Sequence, residues 1–283
     1  MTTLLAGVIG WPVSHTLSPR MHGFWLRELA IDGAYVALPV RRHDLSDALA
    51  GLLKAGFSGA NLTAPHKEAA FAMAHTADPA ACAAKAANLL LFQKGQFHAA
   101  NTDVEGLVLS LTDGLRNKEP GIRRSIVLGA GGAARAAVLS CDHLGIQEIC
   151  VLNRTDARAA ALACDLSGCV KANLTAAAWR AWEALAPEAQ LLINATSAGL
   201  NGAPSPDISL EALPRRAVVC ELIYSPLETP LLARARALGL AVVDGLGMLM
   251  HQGALGFELL FGARPTVSPS LRSYLELALR NAR

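Results

Sequence analysis

The sequence predicts an α/β protein of two domains, and three observations lead to this prediction. The chain has 283 residues, a length that corresponds to about two domains. Short apolar runs alternate with segments of helical periodicity, which is typical of α/β layers with parallel strands. Residues 125–158 contain a strand, a glycine-rich turn, a helix and a second strand, in that order. We therefore predict an N-terminal α/β domain with a parallel sheet, followed by a domain of the Rossmann type.

The first predicted strand, Leu4–Ile9, leads into a loop that is rich in hydroxyl groups. Ser18 precedes Pro19 at the start of the following helix, which is typical of an N-cap residue. Thr16 and Ser18 also present two hydroxyls beside a helix N-terminus, an arrangement that suits a carboxylate ligand. The local sequence favours neither interpretation of Ser18 over the other.

The N-terminal region continues to alternate strands with helices. Further strands are predicted at Ala34–Pro39, 59–63, Asn88–Phe92 and Phe97–Ala100, with helices after Asp44, Pro65 and Asp78 and a hairpin turn at Lys94-Gly95. Lys67 lies in the first turn of the helix after the third strand, and open α/β sheets bind ligands at the carboxyl ends of their strands. A lysine there opposes the helix dipole, which indicates a functional role. Asp103 could cap the next helix, which is predicted to begin near Gly106.

The turn after Leu128 matches the dinucleotide-binding pattern G-x-G-x-x-G/A, with Ala134 in the last position. Gly129 permits a tight turn, Gly131 permits close approach of a pyrophosphate, and Ala134 permits close packing of helix on strand. The helix start offers free N–H groups to that pyrophosphate. The residues of this turn that are predicted to bind the dinucleotide are Gly129, Ala130, Gly131, Gly132 and Ala133.

The end of the next strand indicates NADP rather than NAD. An NAD site usually carries an acidic residue here to bind the ribose hydroxyls, but this chain has Asn153, Arg154 and Thr155, followed by Arg158. Guanidinium groups beside the ribose favour the 2′-phosphate of NADP. The alternative is an ordinary solvated helix start, although cations there oppose the helix dipole.

The remainder of the second domain is predicted from apolar runs and cap residues. The predicted elements are a strand at Cys169-Val170, a helix capped by Thr175, strands at Leu191–Asn194, Val218–Ile223 and Leu240–Val243, and helices at 229–238, Met248–Phe261 and Ser268–Asn281. Trp179 and Trp182 are interpreted as core residues of the helix after Thr175. Polar loops are predicted at Asn117–Arg124, which leads into the second domain, and at Asn201–Pro206.

Composition and charge argue against several classes of partner. The chain has 25 basic and 23 acidic residues, a net charge of +2, and no basic block that indicates nucleic acid or an anionic membrane. We expect no signal peptide and, without a run of about 18 apolar residues, no membrane-spanning segment. The six cysteines form no C-x-x-C pair and indicate free thiols in the cytoplasm. The eight histidines lack metal-ligand spacing, so no metal site is expected.

Several separated motifs resemble those of the shikimate dehydrogenase family and occur in the family's order. They are HTLSP at His15–Pro19, NLTAPHK at Asn61–Lys67, Asn88, NTDVEG at Asn101–Gly106, GAGGAAR at Gly129–Arg135, NRTDAR at Asn153–Arg158, NATSAG at Asn194–Gly199, YSPLETPLL at Tyr224–Leu232 and GMLMHQGALGFELLFG at Gly247–Gly262. A single motif of this kind is weak evidence for a family, whereas this many motifs in the family's order are specific evidence for it. The resemblance implies the reversible reduction of 3-dehydroshikimate to shikimate with NADPH, in chorismate and aromatic amino acid biosynthesis.

The resemblance also implies roles for individual residues. It implies that Lys67 and Asp103 are the catalytic pair. The chemistry agrees, because an ammonium can give a proton to the substrate oxygen and a carboxylate can orient that ammonium. The sequence leaves open which member of the pair holds the transferred proton. The implied substrate-binding residues are Thr16, Ser18, Thr63, Asn88, Asp103, Tyr224 and Gln252. Further implied cofactor-binding residues are Thr196, Leu222 and Gly245.

The implied substrate-binding catalytic domain comprises residues 1–106 and 246–283, the implied NADP-binding domain residues 107–245, and the site lies in the cleft between them. At Gly23, Leu89, Leu200 and Glu221 the chain departs from the family's usual Asn, Thr, Met and Asp. These departures leave a quinate dehydrogenase or a related paralogue as an alternative. A catalytically silent NADP-binding or metabolite-binding module is a weaker alternative, because both members of the catalytic pair are present. The sequence is compatible with a monomer or a homodimer.

Overall fold

The structure of the chain is a computed structural model that describes residues 3–115, 121–200 and 203–281. The chain divides into two units, Met1–Asp103 with Met250–Arg283, and Val104–Leu249. The boundary positions expected from the sequence, 106 and 246, lie inside two helices, α5 (Asp103–Leu115) and α10 (Gly245–Phe261). Parts of the predicted loops 117–124 and 201–206 lie outside the described residues.

The first unit is built on a six-stranded sheet. Its strands are β1 (Leu4–Gly10), β2 (Gly33–Pro39), β3 (Gly59–Leu62), β4 (Thr76–Ala77), β5 (Leu89–Gln93) and β6 (Gln96–Ala100), and its helices include α1 (Ser18–Glu28), α2 (Leu45–Lys54), α3 (Lys67–Met73), α4 (Pro79–Ala84) and α11 (Pro269–Asn281). The strand order is β2-β1-β3-β5-β6-β4. The β2-β1-β3 part is parallel, whereas β5 is antiparallel to both β3 and β6.

The two-residue turn between β5 and β6 explains the antiparallel pairing. Lys94 and Gly95 both have positive φ, at 50° and 77°, and such a turn joins only antiparallel neighbours. Since β3 and β6 are each antiparallel to β5, they run in the same direction. Their carboxyl ends therefore lie at the same edge of the sheet, beside the start of β5.

Capping groups set the start of some helices but not of α1. Asp78 Oδ1 accepts a hydrogen bond from Ala81 N (2.6 Å) at the start of α4, and Thr229 plays the same part in the second unit. At the start of α1, however, the N-cap position is occupied by Leu17, which makes no side-chain cap hydrogen bond. The interpretation of Ser18 as the N-cap residue is therefore wrong, and its assignment to a carboxylate ligand stays a prediction.

The second unit is built on a six-stranded sheet in which all pairs are parallel. Its elements are β7 (Arg124–Leu128), α6 (Gly132–His143), β8 (Glu148–Asn153), α7 (Asp156–Leu166), β9 (Asn173–Ala178), α8 (Trp182–Leu185), β10 (Leu191–Asn194), β11 (Val218–Glu221), α9 (Pro230–Ala237) and β12 (Ala241–Val243). The strand order, β12-β11-β10-β7-β8-β9, is that of a Rossmann domain. The predicted fold class is thereby confirmed. Ligands in such sheets bind where the order reverses, beside the ends of β7 and β10.

The segment after α7 differs from the sequence prediction. The strand predicted at Cys169-Val170 is wrong, and Thr175 does not cap a helix but lies inside β9, at the edge of the sheet. Trp179 begins a 3₁₀ turn that follows β9. An edge strand that is largely exposed needs no apolar alternation, and its alanine-rich sequence has high helix propensity, so local sequence favours the wrong element.

Each unit has its own apolar core. In the second unit, strand and helix side chains pack around Trp182, which is 3% exposed and is a core residue as predicted. In the first unit, Trp25 and Phe257 are fully buried and meet edge to face, with ring centroids 5.6 Å apart. Helix α10 supplies Phe257 and is strongly apolar, but no helix in the described ranges has the length and hydropathy needed to cross a membrane.

A buried histidine lies in the aromatic cluster of the first unit. His22 is 1% exposed and stacks on Tyr35, with ring centroids 3.8 Å apart and planes 9° apart. No described group pairs with His22 Nδ1. Burial lowers the pKa of His22 from 6.5 to about 3.

We expect His22→Phe to reduce the acid sensitivity of the fold. The unfolded chain takes up a proton at His22 below about pH 6.5, whereas the folded chain does so only near pH 3. The free energy of unfolding is therefore unaffected by His22 above pH 6.5. Below that pH, protonation of His22 in the unfolded chain lowers it by up to about 1.4 kcal/mol per pH unit. Urea unfolding of both proteins at pH 7 and pH 5 measures the effect. The same pH dependence in both proteins would contradict it.

Candidate active site

Lys67 and Asp103 form an ion pair at one edge of the first sheet. Lys67 is the first residue of α3, after β3, and Asp103 is the first residue of α5, after β6. The parallel directions of β3 and β6 bring these two strand ends to the same edge. Lys67 Nζ donates to Asp103 Oδ2 at 2.6 Å, and the two side chains are 21% and 6% exposed. The helix predicted to begin near Gly106 thus begins earlier, and the Asp103 carboxylate bonds Lys67.

Asn88 lies immediately before β5, at the same edge, and binds the other oxygen of the carboxylate. Asn88 Nδ2 lies 2.9 Å from Asp103 Oδ1, 2.9 Å from Thr102 Oγ1 and 3.3 Å from Gln252 Oε1. Its Oδ1 accepts from Thr102 N at 2.8 Å. The structure therefore brings together four of the predicted site residues, namely Lys67, Asn88, Asp103 and Gln252.

Buried polar groups that sequence reasoning did not assign hold this cluster in place. Asn101 Oδ1 accepts from Asp103 N (3.1 Å), and its Nδ2 donates to Ala86 O (2.9 Å). Asn61 Nδ2 donates to Asn88 O (3.1 Å), while Asn61 Oδ1 accepts from Tyr35 OH (2.7 Å). Asn61 and Asn101 belong to the motifs NLTAPHK and NTDVEG, and this membership could have indicated that they are part of the site. Their hydrogen-bond partners could be found only from the structure.

Thr16 and Ser18 form a second polar group of the first unit. Thr16 Oγ1 donates to Ser18 Oγ at 3.1 Å, and Ser18 N donates to Thr16 Oγ1 at 3.3 Å. Ser18 is buried, and Thr16 is half-buried. Thr63 follows β3 and is also half-buried. The remaining predicted substrate residue, Tyr224, belongs to the second unit.

The second unit contains a pocket of about 590 Å³ at the reversal point of its sheet. The predicted cofactor residues that line it are Gly129, Ala130, Gly131, Asn153, Arg154, Arg158 and Thr196. Gly132, Ala133, Thr155, Leu222 and Gly245 are described residues outside this lining. Leu222 and Gly245 do approach each other, because a Cβ at Gly245 would lie 2.6 Å from Leu222 O.

The glycines of the turn serve two different geometric needs. Gly129 has φ of +111°, and a Cβ there would lie 3.0 Å from Ala195 O. Gly131 precedes α6 with φ of −107°, and no described atom lies within 4 Å of a Cβ at this residue. The backbone conformation at residue 129 therefore requires glycine. At residue 131 the missing side chain instead leaves open space at the start of a 12-residue helix. That space and the helix N-terminus suit a pyrophosphate.

Two exposed arginines flank the pocket beyond β8. Arg154 and Arg158 are exposed, and Asn153 Nδ2 donates to Thr155 O at 3.0 Å in the same turn. No described carboxylate lines the pocket at the end of β8, where an NAD site usually has one. The donor set at this end of the pocket therefore fits a 2′-phosphate.

Sequence reasoning missed one wall of the pocket. Trp179 and residues 203–207 line it, and Trp179 Nε1 donates to Asp207 O at 3.2 Å. Trp179 is thus a pocket residue, and it also packs, partly buried, against the apolar core of the second unit, as predicted. Its place in the pocket was missed because the wrong helix after Thr175 would have turned Trp179 fully inward with Trp182.

The described ranges contain no group of three or more His, Cys, Asp or Glu side chains that could hold a metal ion. The six cysteines, all described, are free thiols, of which Cys141, Cys150 and Cys220 are buried. Burial raises the pKa of the Cys141 thiol to about 12. None of the six cysteines lines the pocket of the second unit.

Two family models match the sequence. One, the shikimate dehydrogenase substrate binding domain, matches residues 8–90, and the other, shikimate / quinate 5-dehydrogenase, matches residues 117–203. The chain is 46% identical to a shikimate dehydrogenase (NADP(+)) of Paramagnetospirillum magneticum, over 96% of this chain and 97% of that protein. It is 43% identical to one of Rhodopseudomonas palustris over 100% of both chains.

Solved structures with the same fold include enzymes with bound ligands. Shikimate 5-dehydrogenase from Thermus thermophilus, in complex with NADP(H) and shikimate, matches with a TM-score of 0.84 at 37% identity, over 99% of this chain and 100% of that one. Quinate dehydrogenase from Corynebacterium glutamicum, in complex with NAD, matches with a TM-score of 0.88 at 28% identity, over 96% and 98%. Since the family models span more than half of the sequence and the relatives align over nearly all of it, the chain belongs to the shikimate dehydrogenase family.

Proposed function

We propose that the chain catalyses the reversible, NADPH-dependent reduction of 3-dehydroshikimate to shikimate, in the biosynthesis of chorismate and the aromatic amino acids. The observation that carries this proposal is the Lys67–Asp103 pair, 2.6 Å apart, with Asn88 on the second carboxylate oxygen. Near-full-length relatives at 43–46% identity bear the name shikimate dehydrogenase (NADP(+)), which supports the same reaction.

The pair supplies the proton chemistry that the reduction of a ketone requires. NADPH, when bound, supplies the hydride that adds to the carbonyl carbon. The carbonyl oxygen then gains negative charge and needs both a proton and a positive neighbour, and Lys67 Nζ can provide both. Asp103 keeps the ammonium directed, and Asn88 fixes the carboxylate. The forward proton transfer leaves Lys67 as a neutral amine, and in the reverse direction this amine accepts the proton of the substrate hydroxyl.

The remaining polar residues suit a small polyhydroxylated acid. We assign the substrate carboxylate to the Thr16 and Ser18 hydroxyls, which lie together at the start of α1. Thr63, Asn88, Asp103, Tyr224 and Gln252 are assigned to the ring hydroxyls or the carboxylate. We further propose that residues 1–106 and 246–283 form the substrate-binding catalytic domain and residues 107–245 the NADP-binding domain.

We expect Thr16→Ala and Ser18→Ala each to raise the KM for shikimate by about tenfold or more, since a hydrogen bond to a charged group contributes about 1.5–3 kcal/mol. The KM for NADP should stay unchanged. Ser14→Ala in the same loop is the matched control, because Ser14 is exposed. Steady-state kinetics with each substrate varied in turn checks this. A lower melting temperature with an unchanged KM for shikimate would contradict the assignment of that hydroxyl.

NADP is assigned to the pocket of the second unit, with the pyrophosphate at the start of α6 and the 2′-phosphate beside Arg154 and Arg158. Gly132, Ala133, Thr155, Leu222 and Gly245 stay assigned to cofactor binding as part of this proposal. The free cysteines support a reducing compartment, so we propose that the enzyme acts in the cytoplasm. We propose that it works as a monomer or a homodimer.

Alanine at the two turn glycines should separate backbone strain from ligand contact. We expect Gly129→Ala to lower the free energy of unfolding by about 1–3 kcal/mol, because its positive φ is strained for any other residue. Gly131→Ala should leave stability nearly unchanged and still weaken NADP binding, because its Cβ would occupy the space assigned to the pyrophosphate. Chemical unfolding and NADPH titration measure the two effects. Equal loss of stability in both variants would argue against this division.

The test of the proposed function is the absorbance change of the nicotinamide with shikimate or quinate as substrate and NADP or NAD as cofactor. We expect turnover with shikimate and NADP to exceed the other three combinations. Quinate is the second candidate, because the matching family model and one structural relative both include quinate dehydrogenases. A higher kcat/KM with quinate would replace the proposed substrate, and no turnover with either acid would reject the proposed reaction.

A further inference from the structure

Glu221 is the last residue of β11 and is fully buried, at 0% exposure. Asn194 Nδ2 donates to both of its carboxyl oxygens at 3.0 Å. Ile223 N donates to Oε1 at 3.1 Å, and Thr229 Oγ1 donates to Oε2 at 3.1 Å. All three partners are donors, so this position requires a group that only accepts hydrogen bonds.

Asn194 connects this carboxylate to residues 195–199, here called the pocket loop. Asn194 Oδ1 accepts from Thr196 N at 3.1 Å and from Thr196 Oγ1 at 2.7 Å. Its Nδ2 also lies 3.3 Å from Ala198 O. Thr196 and Ala198 line the nucleotide pocket. Because two donors already occupy Asn194 Oδ1, the amide cannot rotate by 180° without facing them with its own N–H groups, and its Nδ2 stays directed at Glu221.

Ile223 and Thr229 connect the same carboxylate to residues 222–229, here called the tyrosine loop because it carries Tyr224. The loop ends at helix α9, where Thr229 Oγ1 accepts from Leu232 N at 3.3 Å. Leu222 N also donates to Asn194 O at 3.2 Å. Glu221 is therefore bonded to both ends of the tyrosine loop and, through Asn194, to the pocket loop.

We propose that Glu221 is a positioning residue that holds the pocket loop and the tyrosine loop in one fixed arrangement, so that nucleotide binding and substrate binding both depend on this carboxylate. The inference rests on the proposed function, because it takes the pocket as the NADP site and Tyr224 as a substrate contact. Glu221 itself needs no contact with either ligand.

The burial of Glu221 is unfavourable for a residue that only fills the core. Burial raises its pKa to about 7, and an apolar side chain of similar volume would avoid the desolvation of the charge. The hydrogen bonds offset that desolvation only while the two loops stay in place around the carboxylate. The geometry is thus that of a fixed acceptor between two loops rather than of a packing residue.

Two substitutions separate the acceptor role from the volume of the side chain. Glu221→Gln keeps the volume but turns one acceptor into a donor, and that donor would face Asn194 Nδ2, which approaches both oxygens. Glu221→Asp is one methylene shorter but keeps two acceptors. We expect the Gln variant to raise the Kd for NADPH by about tenfold or more and to raise the KM for shikimate, with kcat changed by less than about threefold. The Asp variant should lie closer to the wild type than the Gln variant.

NADPH titration by fluorescence, well below the melting temperature, measures nucleotide binding without turnover. It can therefore be read even if shikimate proves not to be the substrate. The control is Glu183→Gln, at an exposed position of the same unit, which should leave Kd and KM unchanged. A lower melting temperature of Glu221→Gln with an unchanged Kd for NADPH would overturn the proposal. So would an Asp variant that is more impaired than the Gln variant.

Thr229→Val provides a second test should Glu221→Gln fail to fold. It removes the hydroxyl that bonds Glu221 and Leu232 but leaves Asn194 and the pocket loop intact. We expect the KM for shikimate to rise by about threefold or more while the Kd for NADPH stays within about twofold. An unchanged KM for shikimate, or a loss of NADPH affinity as large as the change in KM, would contradict the assigned connections.

Discussion

Replacing Lys67 by alanine is expected to lower kcat for shikimate oxidation by about 10²–10⁴-fold, the usual effect of losing general acid–base catalysis. The Kd for NADPH should remain near that of the wild type, because the residues assigned to the nucleotide lie in the second unit. Lys54→Ala is the matched control, since Lys54 is an exposed lysine at the end of α2. Near-normal turnover of the Lys67→Ala enzyme would rule out the proposed mechanism.

The double variant tests whether Lys67 and Asp103 act as one unit. Their 2.6 Å contact means that either single substitution already breaks the pair. Asp103→Ala should therefore lower kcat as well, and the double variant should be barely worse than the poorer single variant. If the losses in the double variant were instead the product of the two single losses, the residues would act independently.

The sequence predicts this site well where a motif coincides with a strand end. Lys67 and Asp103 each follow a strand, and parallel strands present their ends at one edge of a sheet, so their convergence could be expected. Asn61, Asn101 and Tyr35 could not be assigned in the same way. Apart from the local bond between Asn101 and Asp103, their hydrogen bonds join groups 15 to 27 residues apart in the chain, and those pairings depend on the fold rather than on local sequence.

The same distinction explains which elements were predicted. Strand β10, Leu191–Asn194, has the predicted bounds because it is a short apolar run that ends at a polar residue. Strand β9 was missed because it lies at the edge of the sheet and half of its residues are alanine. Because of that error, the place of Trp179 in the pocket lining was not predicted. A partly exposed edge strand such as β9 is defined by its pairing with the neighbouring strand β8, which a single stretch of sequence does not indicate.

Replacing Arg154 by alanine is expected to raise the KM for NADP by about ten- to a hundredfold, while the KM for NAD changes little. The guanidinium is assigned to the 2′-phosphate, which NAD lacks, and one charge-assisted hydrogen bond contributes about 1.5–3 kcal/mol. Arg180→Ala is the matched control, because Arg180 is an exposed arginine outside the pocket lining. Kinetics with each cofactor in turn measures the effect.

Arg158 lines the same end of the pocket, so part of the preference for NADP should survive in the Arg154→Ala variant. The double variant Arg154→Ala/Arg158→Ala should then bind NADP and NAD with similar affinity, because no described carboxylate lines this end of the pocket and Asp156 lies outside the lining. Raising the ionic strength should also weaken NADP binding to the wild type more than NAD binding, since both guanidinium groups are exposed and screened by salt. If Arg154→Ala impaired NADP and NAD equally, the arginine would instead support the turn itself, and the phosphate would need another partner.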